Sequence, residues 1–348
     1  MKALVLTGNG VFVYKEVPMP QKYHQKAYLL RVYAAGICGS DLHRGFEGGV
    51  YHYPLVMGHE FSAVIEEDFP GSLYKKGDTV AVYPLLPCGQ CDFCNAGDFI
   101  GCRSYDYLGS RRDGAFAEYV YAPEQNLFLL PEHLDPLHAA MSEPCAVTLH
   151  GVRTLFIRGG ETAAVFGGGA IGNMAAQWLR VLGSRRIIVV EIDEKKLKIA
   201  EEMGFETVNP KNDDPVSFIL RRTRDRGAHI VVEAAGLPVT FTQAIESAGR
   251  HGELLLLGTL NREVTILPEQ LSHILRNEIT IHGSWNSTVV PAGRDDWSTV
   301  LSYMDREIQL SPLISHTPPL ENGPEIFRMM YEKKEFFNKV IFILPKGD

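Results

Sequence analysis

Long hydrophobic runs are missing from this chain. No stretch of its 348 residues approaches the roughly 18 consecutive apolar residues of a membrane span, which excludes a helical membrane protein. The opening MKALVLTGNG lacks the apolar core of a signal peptide, so a cytoplasmic protein with no membrane partner is expected. An excess of positive charge is missing too. Lys and Arg number 34 against 42 Asp and Glu, a formal net charge of −8. That balance argues against nucleic acid as a partner, because such binding rests on cationic contacts to phosphates. It leaves an anionic small molecule open, since a pocket can be locally basic in an acidic protein. Repeats, low-complexity segments and disordered tracts are also lacking. The six cysteines do not form a disulfide scaffold: a chain this long needs no such staples, and a CxxCxxC run is awkward for pairing. What remains is an ordinary soluble composition, 45% hydrophobic and 22% charged, with length enough for two domains.

Four of the cysteines form a ladder, Cys88, Cys91, Cys94 and Cys102, in CGQCDFCNAGDFIGC. Four thiolates at this spacing can surround one ion tetrahedrally, and zinc is the best match. Gly89 and Gly97 can help the loop turn around it.

The chain changes character along its length. Residues 1–150 carry short β-like runs such as KALVL, YLLRVYAAG, EFSAVIEE and DTVAVYP, separated by Gly, Pro and Asp turns. They predict an irregular, mostly β domain. Residues 151–280 alternate apolar strands with helices of about a dozen residues, the pattern of parallel βαβ units. Residues 281–348 hold mixed segments and a final strand, NKVIFILP, which is expected to return to the first domain. The fold class is therefore α/β plus a mostly β domain.

Within the second region, VFGGGAIG places Gly167, Gly169 and Gly172 as GxGxxG between a strand and a helix. The glycines permit a tight turn, close approach to a pyrophosphate and close helix packing. The helix N-terminus, with Ala170 and Ile171 in its first turn, offers amide donors to phosphates. Glu191 ends the next strand, where a carboxylate accepts from ribose hydroxyls and repels a 2′-phosphate. That favours NAD over NADP. Lys195 and Lys196 follow. Both fit a solvated helix face, and Lys196 is also a candidate cofactor contact.

A second constellation lies in the first region: Cys38 in AAGICGSDLH, His59 and Glu60 in MGHEF, and Glu143 in MSEPCAV. Thiolate, imidazole and carboxylate can share a zinc and leave one position open. A zinc of that kind lowers the pKa of a bound alcohol. Asp41 could hold the second nitrogen of His59. Spacing alone leaves other readings open: Cys38 as a small buried hydrophobe, Glu143 as a helix cap.

Taken together, GHE at 58–60, CGSD at 38–41, the cysteine ladder and GGGAIG resemble the medium-chain, zinc-containing alcohol and polyol dehydrogenases over essentially the whole chain. The resemblance implies a GroES-like catalytic domain, a Rossmann-type nucleotide-binding domain, two zincs per chain, NAD, and a homodimer or homotetramer. It makes Cys38, His59 and Glu143 catalytic-zinc ligands, with Glu60 as the adjacent carboxylate that can exchange onto the metal, and gives Cys88, Cys91, Cys94 and Cys102 a structural zinc. Glu143 stands where ordinary alcohol dehydrogenases carry cysteine and instead resembles the polyol branch. YHYPLVMGHEFS, YPLLPC, YDYLGSRRDGAFAEY, LLGTL and ILRNEITIHGSW resemble the galactitol-1-phosphate 5-dehydrogenases of that branch, which imply oxidation at carbon 5 to tagatose 6-phosphate. His43 departs from their proline and resembles the proton-relay histidine of alcohol dehydrogenases.

On that reading Ser40 takes or relays the hydroxyl proton and His43 carries it toward solvent. A phosphorylated polyol also needs cationic donors, and arginine offers phosphate a forked set. Arg111, Arg112, Arg44 and His52 are the candidates, with Tyr51, Tyr53 and Trp285 shaping the pocket. Competing expectations are plainer. Ser40 is then a turn residue and His43 a surface residue, Arg111 or Arg112 pairs with Asp113, and the aromatics are core or interface. The rival functions are a dehydrogenase of an unphosphorylated polyol or secondary alcohol, such as sorbitol, butanediol or threonine, and a catalytically silent nucleotide-binding protein.

Overall fold

The computed structural model describes residues 1–290 and 295–345. Its chain packs as two units. One comprises Met1–Pro144, Thr288–Arg306 and Ile314–Asp348; the other comprises Cys145–Ser287 and Glu307–Leu313. The first boundary thus falls at Pro144, beside the expected 150. The C-terminal segment is shared rather than returned whole, because Glu307–Leu313 packs with the second unit.

The first unit is built on the strand Ala27–Gly36, AYLLRVYAAG. Its apolar residues alternate at the start and become continuous at the end, as expected of a strand that passes from a half-covered to a fully covered setting. It anchors a seven-stranded sheet that runs Leu127–Leu129, Thr79–Val82, Glu60–Ile65, Ala27–Gly36, Lys339–Ile343, Ile314–His316, with Tyr119–Pro123 also paired to Ala27–Gly36. Register decides what the sheet carries at its end. Gly36 stands opposite Glu60 on one side and Ile341 on the other. The chain therefore brings residues from three distant places to one point. A core of Leu4, Leu6, Leu30, Val32, Phe61, Phe116, Phe327 and Phe342, all nearly or wholly buried, backs this arrangement. The Phe116 and Phe342 rings meet edge to face at 5.3 Å, a favourable aromatic geometry.

The second unit contains a six-stranded parallel sheet ordered Glu206–Val208, Arg186–Val190, Thr162–Phe166, Ala228–Glu233, Ala248–Leu256, Thr280–Gly283. Chain order reverses between Thr162–Phe166 and Ala228–Glu233, and such a switch point is where open parallel sheets bind ligands. Ala163, Ala164, Val165 and Phe166 are all fully buried, as a strand covered on both faces requires. The helix Ala170–Val181 follows directly. Among the described residues, no helix is long and apolar enough to cross a membrane.

Candidate active site and metal centres

The cysteine ladder closes on itself. Sγ atoms of Cys88, Cys91, Cys94 and Cys102 all lie within 4.8 Å of one another, with Cys91–Cys94 at 3.5 Å and Cys88–Cys94 at 3.9 Å. Four sulfurs bound at about 2.3 Å around one ion stand roughly 3.8 Å apart, so the cage fits zinc. Burial pushes the Cys94 thiol up to about 12, but backbone amides favour thiolate at Cys91. Those of Cys94 and Arg103 lower Cys91 to about 6. The short helix Asp92–Asn95 supplies part of this by using Cys91 as its N-cap.

Cys38 caps the helix Gly39–Phe46. One turn into it, Asp41 is fully buried and accepts from Cys38 N at 3.1 Å and Arg44 Nη1 at 3.0 Å. Its other neighbour is His59 Nδ1 at 3.4 Å. Burial opposes the Asp41 charge, yet His59 and then Arg44 hold the carboxyl below its ordinary range. Burial likewise opposes a charged His59, and Asp41 overcomes it, so the imidazole stays protonated well above its ordinary range. Nδ1 faces Asp41 without a close hydrogen bond, and Nε2, once it gives up its proton, is the nitrogen left for a metal. Arg44 is therefore engaged with Asp41, which draws it away from the phosphate role considered for it.

Glu60 begins the strand Glu60–Ile65. Ligand atoms of Cys38, His59 and Glu60 lie within 4.8 Å of one another. Thiolate, imidazole and carboxylate fit a zinc that keeps an open position. Gly36 makes room for this set: a Cβ there would stand 2.4 Å from Glu60 Oε2. Glu143, in the first turn of Ser142–Arg153, lies outside that close trio. It is held by Tyr107, whose hydroxyl donates to its Oε1 at 3.1 Å. Of the two carboxylates expected at the metal, Glu60 lies in the close trio and Glu143 is held at Tyr107. Burial raises the Glu143 carboxyl to about 7; Glu60 adds to the rise, while His59, Tyr107 and Lys339 oppose it.

Two neighbours carry no signal at sequence level. Lys339, 5% exposed, pairs with Glu60 Oε2 and donates to the Ile37 carbonyl at 3.0 Å. It sits on the C-terminal strand, far along the chain from Glu60, and only the sheet register brings it near. Tyr107 contacts Glu143 through its hydroxyl and lies edge-on to His59 at 5.9 Å between ring centres. It lay inside the resemblance segment YDYLGSRRDGAFAEY, with nothing to mark it from its neighbours.

The remaining candidates spread out. Ser40 is exposed on the helix of Cys38. His43 is exposed one turn further and pairs by Nδ1 with Glu47 at 2.5 Å. Arg111 lies between two rings, 4.6 Å from the centre of Tyr51 and 4.2 Å from that of Tyr105, and donates to Tyr51 Oη and the Tyr105 carbonyl. Arg112 bonds to Asp106 Oδ2 at 2.8 Å, while Asp113 accepts instead from Val56 N. His52 lies between the carbonyls of Pro54 and Arg111. Tyr51, Tyr53 and Trp285 are exposed, and Trp285 belongs to the second unit.

In the second unit, Gly172 approaches Gly167 so closely that a Cβ would meet the Gly167 carbonyl at 1.8 Å. Only glycine permits that packing. Gly169 faces open space, and the helix it caps has no side-chain cap. The amides of Ala170, Ile171 and Gly172 are thus left for an anion, as a pyrophosphate requires. Glu191 accepts from Gly168 N through one oxygen and from Ile192 N and Asp193 N through the other. It joins the fingerprint loop to the end of the next strand. Lys196 lies in the first turn of the helix Glu194–Glu202, whose N-cap Asp193 accepts from its amide.

The comparisons with known proteins agree with this geometry. Residues 24–132 match the alcohol dehydrogenase GroES-like domain, and residues 170–306 match the zinc-binding dehydrogenase domain. The chain is 34% identical over 333 residues to galactitol 1-phosphate 5-dehydrogenase of Escherichia coli, covering 94% of this chain and 96% of that protein. It is 33% identical to sorbitol dehydrogenase of Bacillus subtilis over 81% of each chain. Among solved structures, galactitol-1-phosphate dehydrogenase from Escherichia coli superposes with a TM-score of 0.90 at 33% identity, over 99% of this chain and 100% of that one. A zinc-binding dehydrogenase from Sinorhizobium meliloti bound to NADP superposes at 0.87 with 31% identity, over 98% of both. The chain belongs to the zinc-binding dehydrogenases and is a zinc-dependent, nicotinamide-linked alcohol or polyol dehydrogenase.

Proposed function

We propose that the protein oxidises the carbon-5 secondary alcohol of galactitol 1-phosphate to the ketone of tagatose 6-phosphate, reversibly, with NAD. The observation that carries this reading is the line of contacts from Glu143 to Arg111. Tyr107 bonds to Glu143, its ring lies 6.4 Å from that of Tyr105, and Tyr105 stacks on Arg111. A guanidinium held between tyrosines near a metal trio suits a sugar chain that ends in phosphate.

Cys38, His59 and Glu60 would hold the catalytic zinc with Glu143 beside them, and the four-cysteine cage would hold the structural one. When bound, zinc polarises the alcohol oxygen and the nicotinamide ring accepts the hydride. The chain's own groups do the rest. Asp41 orients His59. Ser40, exposed on the helix that starts at Cys38, relays the hydroxyl proton, accepting it as it gives up its own. His43, one turn on and paired with Glu47, passes it to solvent. Glu191 supports NAD, because its carboxylate closes the fingerprint loop where a 2′-phosphate would otherwise sit. A homodimer or homotetramer also belongs to this reading. It is supported by exposed Leu271, Leu275 and Ile281, which lie on the helix Pro268–Asn277 and on the edge strand Thr280–Gly283. A cytoplasmic location completes the reading.

A second reading has its own support. Arg44 and Arg112 are both engaged by carboxylates, which weakens a phosphate site and favours a free polyol such as sorbitol. Initial rates with galactitol 1-phosphate, galactitol and sorbitol, side by side, separate the two. A large kcat/KM advantage for the phosphate ester supports the first, and equal or better turnover of a free polyol supports the second.

A further inference from the structure

We infer that Tyr107 is a positioning residue of the catalytic metal centre: its hydroxyl fixes one oxygen of Glu143 and so turns the other toward the metal ligands. This rests on the reading of Cys38, His59, Glu60 and Glu143 as the catalytic-zinc site.

Glu143 is buried, and among the described residues Tyr107 is its one hydrogen-bond donor. A buried carboxylate held at one oxygen by a neutral donor loses the freedom to swing, and its second oxygen is left to face the cluster. Tyr107 is well placed for this role. It lies on the short strand Asp106–Tyr107, which pairs with Leu85–Leu86 and is thereby tied to the segment that enters the cysteine cage at Cys88. Its ring packs edge-on against His59. One side chain thus touches both an imidazole and a carboxylate of the candidate ligand set, and stands on backbone held by its own strand pairing. The three other acid or base partners of the site act elsewhere: Asp41 on His59, Arg44 on Asp41 and Lys339 on Glu60. Among the described residues, the phenol is the hydrogen-bond donor that Glu143 has.

The test uses the full-length protein with Co2+ exchanged into the catalytic site and zinc retained in the cysteine cage. Tyr107→Phe keeps the ring and removes the hydroxyl. Partners that orient metal ligands typically change metal affinity or activity by about 10- to 100-fold when removed. The variant should weaken Co2+ at that site by this factor, measured by competition with a chromophoric chelator. It should also alter the Co2+ absorption bands, with far-UV circular dichroism and NAD affinity unchanged. A cycle with Glu143→Gln separates positioning from general loosening. If Tyr107 acts through Glu143, the double variant binds Co2+ no more weakly than Glu143→Gln alone. Unchanged Co2+ affinity and spectrum in Tyr107→Phe would overturn the inference, as would fully additive losses. A wild-type protein that takes up no metal outside the cysteine cage would overturn the metal-site reading, and this inference with it. None of these readouts depends on the substrate, so a failure of the galactitol phosphate assignment stays separate.

Discussion

Lys339→Met should destabilise the metal-stripped protein far more than the zinc-loaded one. Lys339 and Glu60 are 5% and 1% exposed and form an ion pair. Burial alone would lower the lysine's proton affinity; Glu60 more than offsets this, so its pKa lies above the ordinary 10.5. A raised pKa means stability that is fully present below the unfolded value and lost as pH rises through the folded one. At neutral pH the pair is therefore intact. Methionine matches the lysine stem in length but leaves Glu60 buried without its cation. Breaking one partner of a buried pair costs about 3–5 kcal/mol, roughly a 150- to 5,000-fold change in the unfolding equilibrium. With zinc in the trio, Glu60 regains a cation and the loss should shrink to about 1 kcal/mol. Urea unfolding of wild type and variant, each stripped and each zinc-replete, measures this. Loss of the structural zinc affects both stripped proteins alike and cancels in the difference. Equal destabilisation in the two states would refute the idea that Lys339 and the metal serve the same carboxylate.

Cys91→Ala should lower zinc content from two per chain to one by elemental analysis and loosen the cysteine loop, while His59→Ala should abolish turnover and leave most of the fold, read by circular dichroism. Glu143 gives a pH dependence. Its carboxyl is raised from an ordinary 4.5 to about 7, so the metal-free protein should lose the stability held by the protonated group as pH rises from about 4.5 to 7. Glu143→Gln should flatten that slope in thermal melts. Zinc binding over the same range should release a proton, visible as a buffer-dependent enthalpy in calorimetry. Arg111→Ala should cost about 1.5–3 kcal/mol of one charge-assisted contact, roughly ten- to 150-fold in KM for a phosphorylated polyol, with little change for a free one.

What the sequence made legible were features written in short windows. The cysteine ladder spans 15 residues of CGQCDFCNAGDFIGC, and its four sulfurs meet. The GxGxxG run and the strands on either side placed the parallel sheet, because strand, turn and helix there follow one another without interruption. Cys38, His59 and Glu60 also come together; His59 and Glu60 are sequence neighbours at the start of one strand, and the family pattern linked them to Cys38 at a helix start. Side chains that depend on register were not legible. Lys339 reaches Ile37 across a sequence separation of 302, and nothing in NKVIFILP distinguishes its lysine from a strand-edge charge. Tyr107 looks like any strand tyrosine until Glu143 arrives from a helix start. The roles of the arginines were not legible for a related reason. A cationic side chain in a loop reads equally as a phosphate ligand or as a partner of an unseen carboxylate, and Arg44 and Arg112 turned out to have Asp41 and Asp106. Asp113, expected as the partner of Arg111 or Arg112, accepts instead from the Val56 amide.

The central claim is that this metal site and its tyrosine-held arginine serve a phosphorylated polyol. NAD-dependent initial rates of the zinc-replete enzyme on galactitol 1-phosphate, with galactitol and sorbitol in parallel, test it most directly. The account predicts a kcat/KM for the phosphate ester at least ten-fold above either free polyol, in line with about 1.5 kcal/mol or more from one phosphate contact. Equal or better turnover of galactitol or sorbitol would contradict it.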